Sequence, residues 1–132
     1  MTLFVDASAI VAMLAGEPEQ RELALRINED GDPLWSAMSS WEAISGLCSS
    51  YKMPLAVARS DVEKMAAVMP FRLVSIGEPE RLAALDAYQR YGTRSGHKAK
   101  LNMGDCFAYA CAKTQNAKLL YNGDDFVHTD LA

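Results

Sequence analysis

Asp6, Glu42, Asp105 and Asp124 are the residues of this chain whose type and placement could do chemistry. Each follows an apolar run or falls in the first turn of a predicted helix, and in an open α/β sheet such positions meet at the carboxyl edge of the strands, where these folds hold ligands. Carboxylates brought together repel. A pair about 4 Å apart costs roughly 4 kcal/mol at an effective dielectric of 20. A cation must offset that, or some of the groups must protonate. An all-carboxylate set selects a hard ion such as Mg²⁺ or Mn²⁺ over Zn²⁺, and such sites usually handle phosphates.

Every one of these acids also has a structural reading. Asp6 stands between Leu3-Phe4-Val5 and Ala7-Ser8, where Asp makes a good helix N-cap. Glu42 ends Ser39-Ser40-Trp41-Glu42, a capping-box spacing in which its carboxylate reaches back to the Ser39 amide. Asp105, inside Asn102-Met103-Gly104-Asp105-Cys106-Phe107-Ala108, gains about 0.3–1 kcal/mol from a helix dipole. Asp124 and Asp125 follow Leu119-Leu120-Tyr121-Asn122-Gly123, and Asp after Asn-Gly is ordinary turn chemistry. Caps and turns, however, need no further carboxylates nearby.

The elements that must position these groups alternate. Strands are expected at Leu3-Phe4-Val5, Leu34-Trp35, Phe71 to Ile76 and Lys118 to Tyr121. Helices are expected from Asp6-Ala7-Ser8 to Leu14 with Gly16 as cap, from Pro18 to about Glu29, from Ser39 to about Ser50, from Pro54 to about Met69, from Glu78-Pro79 to near Gly92, and from Asn102 or Gly104 onward. Alternation of this kind predicts a parallel sheet covered on both faces, an α/β fold.

At 132 residues, half of them apolar and 23% charged, the chain has the size and balance of one domain, residues 1–132, with one core. The Leu3–Leu14 run is broken by Asp6 and Ser8 and has no basic leader, so it reads as neither signal peptide nor membrane span. Cys48, Cys106 and Cys111 form no C-x-x-C pair, which suits core thiols in a reducing cytoplasm. A net charge of −4 argues against a general grip on nucleic acid. Between Ala87 and Gly104, though, no acid occurs, while Arg90, Arg94, Lys98 and Lys100 gather around His97; these bases form either a solvated helix end and loop or a track for a phosphate backbone.

Val5-Asp6-Ala7-Ser8-Ala9, Trp41-Glu42, Leu101 to Ala110 and Gly123-Asp124-Asp125-Phe126-x-x-Thr129-Asp130 together resemble one family, the VapC-type PIN-domain ribonuclease toxins, which pair with VapB-type antitoxins. The resemblance runs from Val5 to Leu131, its last two segments being the specific ones, while Cys48 to Glu78 matches only in pattern. It implies a three-layer α/β/α sandwich with a central parallel sheet. It further implies that Asp6, Glu42, Asp105 and an acid of the last loop surround one or two Mg²⁺ ions (Mn²⁺ as substitute), with Asp124 preferred as the fourth and Asp125 as the alternative. Ser8 matches a hydroxyl position beside the first acid, and it is expected to bind the RNA substrate together with Arg94, Lys98 and Lys100 of the loop before the third acid. A homodimer and a tight antitoxin partner covering the cleft are implied as well.

The expected activity is therefore metal-dependent endonucleolytic cleavage of RNA, with water as nucleophile. Two other enzyme readings compete: a metal-independent ribonuclease using His97 and His128 as acid and base, and a phosphoaspartyl hydrolase at Asp6, against which Ser8 stands where a second acid is usual. A catalytically silent PIN-fold binding module is the reading from another class. Trp41, Tyr51, Met53, Met65 and Met69 belong either to an interface or, more commonly for such residues, to the core.

Overall fold

The computed structural model describes residues 2–132. Strand β1 (Leu3–Val5) leads through α1 (Ala7–Ala15) and α2 (Gln20–Asp30) to β2 (Pro33–Trp35). Then follow α3 (Ala37–Tyr51), α4 (Leu55–Val68), β3 (Arg72–Leu73), α5 (Glu78–Tyr91), α6 (Met103–Thr114) and β4 (Lys118–Leu120). The four strands lie in the order β3-β2-β1-β4, and every pairing is parallel.

Side-chain alternation along β1 explains the layers. Phe4 enters one hydrophobic cluster with Leu34, Leu119 and residues of α5 and α6. Leu3 and Val5 enter the other, with residues of α1 to α4. A strand buried on both faces needs no polar side, which is why Leu3-Phe4-Val5 carries none. The fold is thus the expected α/β/α sandwich around a parallel sheet, and among the described residues no helix is long and apolar enough to cross a membrane.

The chain steps from β1 to β2 and β3 on one side, then returns through α5 and α6 to place β4 on the other side of β1. That reversal opens a crevice beyond the carboxyl ends of β1 and β4. A backbone bond from Asp6 N to Leu120 O, 2.9 Å, carries the pairing one residue past β1 and joins the two strand ends.

Several boundaries differ from the sequence expectation, each for a local reason. The last-but-one strand contracts from Phe71–Ile76 to Arg72–Leu73 because it is an edge with a neighbour on one side only; Val74 N still reaches Trp35 O at 2.9 Å. Pro18 precedes α2 rather than opening it, and Glu19 occupies the cap. The helix carrying Glu42 begins at Ala37, two residues earlier than expected, because Ser36 caps it.

Candidate active site

Asp6 ends β1 and caps α1. Its Oδ2 accepts from Ser8 N at 3.0 Å and from Ser8 Oγ at 2.6 Å, so the N-cap reading is correct and still compatible with a place in the crevice: the residue lines it. Asp105 does the same on α6, where a capping box joins Asn102 N to Asp105 Oδ2 at 3.1 Å and Asp105 N to Asn102 Oδ1 at 2.9 Å. In each residue the cap uses Oδ2, and a carboxylate has a second oxygen for other work.

Glu42 departs from its capping reading. The box on α3 lies one turn earlier, with Ser36 Oγ accepting from Ser39 N at 3.2 Å and Ser39 Oγ accepting from Ser36 N at 3.2 Å. Ser39 is therefore the answering residue of a box and not its cap. This releases the Glu42 carboxylate, which rests against Gly104: a Cβ built on that glycine would coincide with it. Glycine at the second position of α6 is what lets the α3 acid reach the Asp105 turn.

The last loop supplies Asp125. Asp124, preferred on sequence grounds, does not line the crevice, whereas Asp125 does, and it is Asp125 that acts electrostatically on the other three acids. Gly123, at φ +96°, redirects the chain after Asn122, so the residue nearer the strand is carried past the crevice and the next one meets it. The loop is anchored beyond this point by Asp130, whose Oδ1 accepts from Tyr109 Oη at 2.6 Å and whose Oδ2 accepts from Lys113 Nζ at 2.6 Å.

Burial alone would raise the Asp130 carboxyl, but the Lys113 and Tyr109 hydrogen bonds hold it down to about 2. A depressed carboxylate contributes stability that is present above its unfolded value, near 4, and lost as pH falls towards 2. The pair is 40% exposed on each side, so solvent screens much of it. Asp130→Ala is expected to lower the melting temperature by about 3–5 °C at pH 7, and the difference from the unmutated chain is expected to vanish near pH 2, read by circular dichroism.

Asp6, Glu42, Asp105 and Asp125 thus open on one cavity of about 390 Å³ that also takes in Ser8, Asn102 and Asn122. Their electrostatics carry the mark of crowding. Burial, then Asp6, Asp105 and Asp125, push Glu42 up to about 7. Asp105 is likewise pushed up to about 7 by burial, with Asp125 and Asp6 adding to it against the Asn102 backbone bond. Asp6 is raised by burial against the lowering effect of its Ser8 bonds.

Among the described residues no three acidic, His or Cys side chains already stand as a closed ligand cluster. The acids form an open set around the cavity, with two tied by their caps and Glu42 lying on Gly104. The donor chemistry is nonetheless that of a hard divalent ion, since the described lining holds neither Cys nor His. His97 Nδ1 accepts from Ala99 N at 3.0 Å, its ring meets Tyr91 edge-on at 4.9 Å, and neither it nor His128 lines the cavity.

Two features of the site were missed by reading the sequence. Asn122 N donates to Ser8 Oγ at 3.0 Å, while Asn122 Nδ2 donates to Glu17 Oε1 at 3.1 Å and Glu19 Oε1 at 3.2 Å. Ser8, expected to meet substrate, therefore links Asp6 to the loop after β4, and Asn122 ties that loop to the turn after α1. Only the Asn-Gly turn at 122–123 hinted at it. Arg94, Lys98 and Lys100 lie outside the cavity lining, on a loop closed by Leu101 N to Tyr91 O at 2.8 Å and Thr93 N to Leu101 O at 3.2 Å, which delivers the chain to Asn102.

With this geometry in view, the profile of the PIN domain matches residues 3–131. A VapC ribonuclease of Rhizobium meliloti is 38% identical, across 97% of this chain and 98% of its own. Among solved structures, the fold is similar to that of Mycobacterium tuberculosis VapC20, a toxin described as cleaving the sarcin–ricin loop, with a TM-score of 0.71 at 15% identity over 95% of this chain and 92% of that one. It is also similar to a chain of a Klebsiella pneumoniae toxin–antitoxin complex, with a TM-score of 0.67 at 19% identity over 99% and 94%.

Proposed function

This chain belongs to the PIN domain family, and from that premise we propose that it is the toxin of a VapC-type toxin–antitoxin pair, an endoribonuclease that depends on Mg²⁺, with Mn²⁺ as substitute. The observation that carries the reading is the meeting of Asp6, Glu42, Asp105 and Asp125 on one cavity at the switch point of the sheet. The kinship with VapC ribonucleases over nearly the whole chain supports RNA as the polymer cleaved.

Asp6, Asp105 and Asp125 are the groups that would hold the ion, with Glu42 completing the set or orienting the attacking water. A divalent ion held there would supply a Lewis acid for the phosphodiester and a better water nucleophile near neutral pH. Water would add to phosphorus as the bond to one ribose oxygen breaks, its proton passing to Glu42 or to solvent while the released oxygen takes one up from solvent. Ser8 and Asn122 keep Asp6 and the loop after β4 in register through their hydrogen bonds. Arg94, Lys98 and Lys100 would draw the phosphate backbone towards the cleft from the loop before α6, which gives affinity without sequence choice and weakens with salt.

The test is cleavage of total RNA by the purified chain. Activity with millimolar Mg²⁺ and none after EDTA is the expected result; full activity in EDTA would overturn the metal reading in favour of the histidine one. The fourth acid has its own test. Asp125→Asn is expected to cost at least about a hundred-fold in cleavage rate, as loss of one group aimed at developing charge does, while Asp124→Asn should stay within about three-fold, both measured under single-turnover conditions.

The same reading carries a VapB-type antitoxin as partner, in keeping with the toxin–antitoxin complex of the structural neighbour, and a homodimer as the assembly, to be read by sedimentation. Cys48, Cys106 and Cys111 are free thiols, which supports the cytoplasm as the place of action.

A further inference from the structure

Beside the acidic cavity lies a second one of about 660 Å³, and the two share Glu42 and Gly46. Its walls come from α3, with Met38, Trp41, Ser45 and Ser49, and from Met103 at the start of α6. Trp41 is 74% exposed and Met103 64% exposed. This is unusual for a side chain as costly to leave in water as tryptophan. The other tryptophan, Trp35, is buried against Phe71, with ring centroids 5.3 Å apart.

The trough joins a flat indole and thioether carbon surface to hydroxyls spaced one helical turn apart, and its one charged residue is Glu42. A phosphate would be repelled there. A planar heteroaromatic ring with hydrogen-bonding edges would be held, because bases stack on aromatic side chains whatever their identity.

We infer that Trp41 forms a nucleobase subsite: when the scissile phosphate of an RNA strand enters the acidic cavity, a base next to it stacks on the Trp41 ring in the adjoining trough. The inference rests on the ribonuclease reading above and adds a binding residue that takes no part in the chemistry. It also gives the cleft a hold on substrate that does not depend on charge, which a cavity lined by five acids, Asp6, Glu17, Glu42, Asp105 and Asp125, otherwise lacks.

The test uses the full chain and a mixed-sequence single-stranded RNA of twelve nucleotides. Trp41→Ala is expected to raise KM roughly 5- to 150-fold with kcat little changed, the range that stacking on one ring gives, and Trp41→Phe should recover most of the loss. In the Asp105→Asn background, RNA should quench tryptophan fluorescence, and Trp41→Phe should abolish the quenching because the buried Trp35 is out of reach. Unchanged KM in Trp41→Ala, or quenching that survives Trp41→Phe, would overturn the subsite. So would a fall in sedimentation coefficient in Trp41→Ala with KM unaltered, which would mark the trough as a contact between copies. If the unmutated chain cleaves no RNA, the ribonuclease reading fails, and the quenching experiment still decides for or against a base on Trp41.

Discussion

Asp105→Asn is expected to reduce RNA cleavage by at least about a thousand-fold while leaving the fold intact. The two halves of that expectation come from different atoms of one side chain. Folding uses Asp105 as the third residue of α6, where Oδ2 accepts from Asn102 N at 3.1 Å, and an asparagine carboxamide oxygen can accept the same bond. What the variant loses structurally is the charge at a helix start, about 0.3–1 kcal/mol, and that is offset by relief of repulsion from Asp6 and Asp125, both of which act to raise Asp105. What it loses chemically is one of the carboxylates that would hold the ion. Removing a single preorganised charge-stabilising group commonly costs a hundred- to a thousand-fold, and a metal ligand sits at or beyond the upper end. Single-turnover cleavage with saturating Mg²⁺, beside a melting curve on the same sample, separates the effects. Retained activity would sink the assignment, and a collapsed melting transition would show that Asp105 serves mainly as a cap.

How much of this arrangement the sequence makes legible depends on how local the cause is. Asp6 is readable because a run of three apolar residues ends at it and a helix begins after it, all within a few positions. The alternation of strands and helices, and hence the parallel sheet, is readable for the same reason. Glu42 is harder: Ser36, Ser39 and Glu42 repeat at three-residue intervals, so two capping boxes compete, and the one that forms is set by where β2 ends at Trp35. The choice between Asp124 and Asp125 depends on the turn taken at Gly123, which spacing does not encode. Asn122 meets Ser8 across 114 positions of sequence, and the contact of Glu42 with Gly104 joins two helices far apart in the chain. Such pairings belong to the packed molecule and have no footprint in local pattern.

Metal and pH are expected to govern the stability of this chain together, and the common cause is the burial of carboxyls that also repel one another. Glu42 and Asp105 are both pushed up to about 7, by burial first and then by their neighbours. A raised carboxyl keeps its proton in the folded chain at pH values where the unfolded chain, titrating near 4, has released it. Its contribution to stability is therefore complete below that value and is lost as pH rises through 7. In EDTA the melting temperature should fall by several degrees between about pH 5 and pH 8. Asp130 does not confuse the measurement, because its own contribution changes only between about pH 4 and its folded value near 2. Glu42→Gln keeps the shape of the side chain and removes its charge, so in EDTA at pH 8 it should melt above the unmutated chain and respond less to pH. Mg²⁺ should reverse the loss by RT ln(1 + [L]/Kd), about 2.7 kcal/mol at a hundred-fold excess over Kd. For a chain of 132 residues that amounts to roughly 10 °C. The gain should grow with pH, since protons and metal compete for the same oxygens. Scanning calorimetry at several pH values, with EDTA or with Mg²⁺, checks all of these at once. A melting temperature indifferent to both pH and Mg²⁺ would mean that the four acids do not act as a set, and would favour a silent binding module over a metal-dependent nuclease.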